Sequence, residues 1–151
     1  MLSEIDDWRM SPQWLSPNTY LDSILATLAT HHTSRPILLS SFSPDICIAL
    51  ALKKVPYPIY FLNDARAPTS DSRASSFQSA LHFASRWGLD GVVLESSPLV
   101  ACPRLVRLAR GRGLGLATYG ARNNEVEAVR LQRESNVDGI IVDRVGLVAR
   151  I

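Results

Sequence analysis

An α/β fold with a parallel sheet of about five strand–helix units is what this sequence predicts, on three observations. Short apolar runs stand at Ile37–Phe42, Ile59–Leu62, Gly91–Leu94, Leu116–Tyr119 and Gly139–Val142. Between them lie stretches whose apolar residues recur at helical spacing. The chain has 151 residues, 46% of them hydrophobic and 20% charged, enough for one globular core and short of the roughly 250 residues that a complete eight-unit barrel takes. One small domain, or a piece of a larger one, is therefore expected. Parallel strand–helix repeats normally carry their active sites on the loops after the strands, yet hardly any His, Asp and Glu cluster there.

The first twenty residues are expected to be irregular, because Pro12 and Pro17 interrupt them and Trp8 and Trp14 show no sustained helical spacing. A helix then opens near Asn18, with Leu21, Ile24, Leu25 and Leu28 on one buried face. Pro36–Leu39 begins the first strand, which stops at Ser40-Ser41-Phe42. Ser43-Pro44-Asp45 supplies a capping hydroxyl, a proline at the first helical position and an acidic first turn, so a helix leads into Ile46–Lys54. Pro56 and Pro58 end it and open the strand Ile59–Leu62. The polar connector Asn63–Ser70 is of the kind that often carries function. Phe77, Ala80, Leu81 and Ala84 form the next apolar stripe, and Gly88 falls where a left-handed cap is wanted. Gly91–Leu94 is a strand ending at Glu95-Ser96-Ser97, followed by a helix from about Pro103 to Arg110. Gly111, Gly113 and Gly115 come after a helix rather than between a strand and a helix, so they read as turn glycines and not as a phosphate cradle. Leu116–Tyr119, a loop Gly120–Asn124, a helix through Leu131 and Gly139–Val142 complete the pattern.

Composition excludes several classes of function. The net charge is +2, and Arg104, Arg107, Arg110 and Arg112 are not interleaved with aromatic residues as a nucleic-acid surface requires; no nucleic-acid partner is expected. Cys47 and Cys102 stand far apart in apolar contexts, which favours buried free thiols over a disulfide or a metal knuckle. No apolar run approaches the roughly 20 residues of a membrane span. The acidic start, Glu4, Asp6 and Asp7, has the wrong charge for a targeting signal, so the expected compartment is the cytoplasm.

The segments ILLSSFSPDICIALALKK, YPIYFLNDA, RASSFQSALHFASRWGLDGVV, CPRLVRLARGRGLGLATYGARNN and NVDGIIVDRV occur in this order from Leu21 to Val145. Together they resemble the C-terminal half of a glycerophosphodiester phosphodiesterase domain, in the eukaryotic branch where that domain can follow phosphate-sensing and ankyrin modules. The resemblance implies a partial (β/α)8 TIM barrel: residues 1–20 a lead-in, and 21–151 the C-terminal half. It implies, for the intact domain, a glycerophosphodiester substrate hydrolysed to an alcohol and glycerol 3-phosphate with a divalent cation, Mg or Ca. That chemistry needs a His pair as acid and base and carboxylates to hold the cation. The family takes them from a His-Arg after its first strand, a Glu-x-Asp on the second, a later His, and a Glu on the strand just before this chain's first residues. None of these matches here. His31, His32 and His82 are assigned to surface or capping roles, and Glu4 is not the metal ligand. Neither catalytic residues nor a cofactor is therefore expected from this chain itself.

What transfers from the family is scaffold and pocket wall. Ser41 and Phe42, with Ser40, end a strand at the barrel mouth, and Tyr119 with Asn123 would line the opposite side of the substrate cleft. Phe42 and Tyr119 read equally well as core aromatics at strand ends. Glu95 and Asp143 could meet substrate or cation, although a capping carboxylate is the commoner use of such residues. Asn136 stands where the family usually has Gly before Val-Asp-Gly. Two functions compete: part of a phosphodiesterase completed by the missing N-terminal half-barrel and inactive alone, or a non-catalytic half-barrel that self-associates through its strand edges. A doubly wound small-molecule binder would want a glycine-rich strand-to-helix turn, which the sequence does not offer.

Overall fold

The computed structural model describes residues 16–31, 35–64 and 69–149. The chain divides into two compact units, Met1–Pro36 and Ile37–Ile151. In the first, helix α1 spans Pro17–His31. Ser16 Oγ accepts from Thr19 N at 3.2 Å, and Pro17 follows at the first helical position, where no amide hydrogen is needed. The helix thus begins inside the expected lead-in. Leu21 is buried, while Ile24, Leu25 and Leu28 are half-buried. His31 ends the helix, and His32 lies outside the described residues.

The second unit is a five-stranded parallel sheet in the order β1-β2-β3-β4-β5. The strands are β1 Leu39–Ser41, β2 Ile59–Asn63, β3 Gly91–Glu95, β4 Gly115–Tyr119 and β5 Gly139–Ile140. Between and after them run α2 Pro44–Lys53, α3 Phe77–Arg86, α4 Ser96–Ala101, α5 Leu105–Arg110, α6 Val126–Glu134 and α7 Val145–Val148. Because every crossover steps one strand in the same direction, right-handed connections place all the helices on one face of the sheet. This is the arrangement of a barrel segment. A doubly wound sheet reverses its strand order and covers both faces.

Side chains alternate between the two faces. Ile59 and Phe61 of β2, Val92 and Leu94 of β3, and Leu116 of β4 turn to the helices and are buried. They meet Ala80, Leu81, Phe83 and Ala84 of α3, together with Val106 and Ala109 of α5, all buried as well. The Phe61 and Phe83 rings pack edge-on with centroids 4.8 Å apart, and burying one such ring contributes about 1.5–3 kcal/mol. The opposite face carries Tyr60, Leu62, Val93 and Ala117. Its floor depends on two glycines: a Cβ on Gly115 would lie 2.0 Å from the Tyr60 hydroxyl, and one on Gly91 would lie 2.5 Å from the Tyr60 ring. Gly115 is therefore a strand residue that admits Tyr60, not the turn residue expected of it.

Other boundaries differ for local reasons. β1 is shorter than the run Ile37–Phe42. Among the described residues it pairs with β2 alone, and pairing starts where Leu39 N donates to Pro58 O at 2.9 Å; the prolines before Ile59 have no amide hydrogen with which to extend it. Helix α4 was not expected at all. Its cap is Glu95, which accepts from Ser97 N at 3.1 Å, an uncommon capping residue that propensity does not flag. Helix α2 follows the expected signals: Ser43 Oγ accepts from Ile46 N at 3.4 Å. It ends at Lys54, which adopts φ +51° before the prolines are reached. Gly88 takes the left-handed cap conformation expected of it, φ +62°, after α3. Cys47 is buried as expected, and burial pushes its thiol up to about 11. Cys102, expected to be buried, is exposed as the residue that ends α4.

Candidate functional site

The C-terminal ends of parallel strands are where a sheet of this kind offers side chains for chemistry. Alternation selects which of them face away from the helices. Glu95 and Tyr119 are register partners at the ends of β3 and β4 and share a face. Phe42 and Asp64, each one residue beyond the end of β1 and β2, also stand by Tyr119, the first in ring contact and the second through its charge. The outcome is a rim of two aromatic rings and two carboxylates. Phe42 and Tyr119 meet edge to face, with ring centroids 6.0 Å apart and planes at 84°. Phe42 remains 55% exposed.

The Tyr119 hydroxyl is buried and has no hydrogen-bond partner. Burial, and after it the negative charges of Asp64 and Glu95, push its pKa up to about 12, since each disfavours a phenolate. Glu95 is anchored by Ser97, whose hydroxyl donates to it at 2.8 Å. Gly120, at φ +109°, lets the carboxylate come close: a Cβ there would lie 3.0 Å from Glu95 Oε1. Beside the rim is a cavity of about 180 Å³ lined by Phe42, Leu62, Asn63, Asp64, Thr69 and Ala74. Asn63 is 1% exposed; its Nδ2 donates to Ala74 O at 2.7 Å, while its Oδ1 has no partner. The loop behind the cavity is held by Arg73, whose guanidinium donates to Asp71 and to Asp45 on α2. That hydrogen bonding keeps the Asp71 carboxyl below the usual carboxylate range.

The structure brings Phe42 and Tyr119 together and leaves the other two expected cleft residues elsewhere. Ser41 is the last residue of β1, and Phe42 lies in the bend that follows it. Ser41 accepts from Ser43 N at 3.1 Å and helps turn β1 into α2. Asn123 is fully buried in the 3₁₀ turn Ala121–Asn124. Its Nδ2 donates to Ile141 O at 2.9 Å and to Thr118 Oγ1 at 3.1 Å, and Gln132 Nε2 donates to its Oδ1 at 2.9 Å. This network joins β4, the turn, α6 and the end of β5 under the helices. Of the two uses weighed for Glu95, the structure shows the cap on α4. Asp143 accepts from Asn124 Nδ2 at 3.0 Å and closes a loop. His82 lies exposed on α3. Part of the connector Asn63–Ser70, residues 65–68, lies outside the described residues.

Asp64 and the four strand-start contacts were missed by the sequence reading. Asp90 Oδ2 accepts from Ile59 N at 2.8 Å and Asp138 Oδ2 from Leu116 N at 2.9 Å, each Asp preceding the Gly that opens a strand. In both pairs the Asp backbone also takes part, Asp90 N donating to Ile59 O and Asp138 N to Leu116 O. The repeated Asp-Gly in LDGVV and VDGII was the available signal. Among the described residues no three His, Cys, Asp or Glu side chains gather at one point.

Comparison with known proteins gives a consistent picture. The glycerophosphoryl diester phosphodiesterase family model matches residues 6–147. A glycerophosphocholine phosphodiesterase of Schizosaccharomyces pombe is 41% identical over 151 residues, 99% of this chain and 13% of that protein. One from Candida albicans is 40% identical over 147 residues, 96% of this chain and 13% of that protein. The chain thus spans about an eighth of the length of these relatives. A crystal structure of a candidate glycerophosphoryl diester phosphodiesterase from Silicibacter pomeroyi DSS-3 superposes with a TM-score of 0.67 at 20% identity, covering 89% of this chain and 43% of that one. The fold is therefore a partial barrel.

Proposed function

This chain belongs to the glycerophosphoryl diester phosphodiesterase family, and from that premise we propose that it supplies one wall of a phosphodiesterase cleft which an upstream half-barrel completes. The observation that carries the reading is the rim at the strand ends, where Phe42 and Tyr119 stand against each other on the face the helices leave open. On this reading those two residues touch a glycerophosphodiester, and the Thr118–Asn123–Gln132 network positions Tyr119 from behind. Ser41 positions Phe42 through the turn it shares with Ser43.

The acid–base histidines and the cation ligands come from the upstream half. The cation neutralises charge on the phosphoryl oxygens when bound; this chain's own residues orient the diester and exclude water from one side of it. Alone, the chain does not turn substrate over. Two cysteines kept as free thiols support a reducing, cytoplasmic setting. Among the described residues no helix is long and apolar enough to cross a membrane.

The test is complementation. The chain is co-expressed with the part of the Schizosaccharomyces pombe relative's catalytic domain that precedes the matched segment, and the pair is purified. Cation-dependent release of glycerol 3-phosphate from a glycerophosphodiester, absent from either part alone, is the expected result. A stoichiometric, folded complex without turnover overturns the proposal.

A further inference from the structure

We propose that the groove along α3 is an accessory site for a small aromatic ligand that carries a phosphate group, the chemistry of a mononucleotide. A cavity of about 480 Å³ lies there, and Arg73, Gln78, His82, Phe83, Arg86 and Trp87 line it. Its size falls within the roughly 300–1,000 Å³ of small-molecule pockets. None of these residues lines the cavity beside the strand-end rim, so the two are separate. Helical spacing builds the groove. Gln78, His82 and Arg86 follow one another at intervals of four on α3 and share a face. Trp87, the residue that ends the helix, completes this wall, and Phe83 is the buried floor.

Among the described residues that line it there is no Asp or Glu, so the charge favours an anion. Arg86 and His82 are exposed, and among the described residues the Arg86 guanidinium makes no ion pair. A guanidinium presents paired N–H donors that match the oxygens of a phosphate, and an imidazole N–H adds another donor. Arg73 is already held by Asp71 and Asp45, so it shapes the wall and leaves the anion to Arg86 and His82. That wall is fixed in advance: Ala74 N donates to Asp71 O at 3.0 Å, and Asn63 Nδ2 donates to Ala74 O at 2.7 Å. A preformed wall loses little freedom when a ligand arrives. Trp87 is half-buried, and an indole offers a flat apolar surface on which a base stacks. A sugar phosphate leaves that surface unused, and a neutral base leaves Arg86 unused.

The experiment is an NMR titration of the unaltered chain with adenosine monophosphate, adenosine and ribose phosphate. The monophosphate is expected to shift the Trp87 indole and His82 ring resonances and to leave those of Phe42 and Tyr119 in place. It is expected to bind at least about tenfold more tightly than adenosine, the order of one charge-assisted hydrogen bond. Ribose phosphate, which keeps the anion and lacks the base, should bind severalfold more weakly than the monophosphate. Arg86→Gln, a change at an exposed side chain, should bring the monophosphate down to adenosine's affinity. Equal binding of the monophosphate and adenosine, shifts confined to the rim, or no shift at Trp87 overturns the site. Ribose phosphate binding as tightly as the monophosphate overturns the part given to the base. These comparisons use the unaltered chain, so they decide even where the variant fails to fold, and turnover on complementation does not enter them.

Discussion

Tyr119 holds a hydroxyl that is buried, unpartnered and close to two negative charges. Each of these features has a thermodynamic consequence. An unsatisfied buried hydroxyl costs about 1–3 kcal/mol, so Tyr119→Phe is expected to be at least as stable as the native chain near neutral pH. The raised pKa adds a pH dependence. An unfolded tyrosine ionises near 10 and the native one near 12; between those values the unfolded chain binds fewer protons, so native stability falls as pH rises through this window. Thermal melts at pH 9 and pH 11 should show a larger loss for the native protein than for Tyr119→Phe. Equal losses would mean that Tyr119 is not in the environment described. Tyr60, whose pKa is also raised by burial and by Asp138 and Asp90, contributes equally to both proteins and cancels.

At the scale of elements, the sheet's open face rests on residues too small to obstruct it. Gly115→Ala puts a methyl group 2.0 Å from the Tyr60 hydroxyl, and neither the strand nor the phenol can yield without shifting its neighbours. Overpacking of this kind costs about 1–3 kcal/mol, and the double variant Gly115→Ala/Tyr60→Leu should recover part of the loss. Chemical denaturation reads both, and an undisturbed midpoint in Gly115→Ala would contradict the packing. The existence and order of all five strands could be read from their apolar runs, and α2 and α3 from the Ser43-Pro44-Asp45 start and the Phe77–Ala84 stripe. What stayed hidden depended on partners far away in sequence. Gly115 looked like a turn residue because nothing local announces that Tyr60 must pass it. Helix α4 hid behind a Glu cap. Cys102 sat in an apolar context yet ends a short helix at the surface. Asn136 departs from the family's glycine but adopts φ +63°, a conformation Asn tolerates better than most residues, so the turn survives the change. In the candidate site, Phe42 and Tyr119 were legible as strand-end aromatics, whereas the use of Ser41 in the turn from β1 into α2 depends on the position of Ser43 N and was not. Asp64 joined the rim only once the register of β2 was known.

For the sheet unit as a whole, the sequential strand order places β1 and β5 at the edges among the described residues, and the connections put this unit's own helices on one face. Exposed apolar side chains lie at both ends of this arrangement: Leu38 and Phe42 about β1, Ile141 and Val145 after β5. Unpaired edges and exposed apolar surface are costly in water and favour association. A barrel closes by supplying strands to both edges at once. The bacterial structure, 43% of which is covered, shows the fold of a partial barrel, and these edges support the proposal that an upstream half-barrel is the partner. The most direct measurement of this account is the kcat/KM of the complemented enzyme with native chain and with Tyr119→Ala, each assembly matched for stoichiometry by light scattering. A fall of at least about tenfold, the order expected when a substrate-positioning contact is lost, is the result the account requires. An unchanged kcat/KM in a fully assembled variant would show that this rim is not the wall of the substrate cleft.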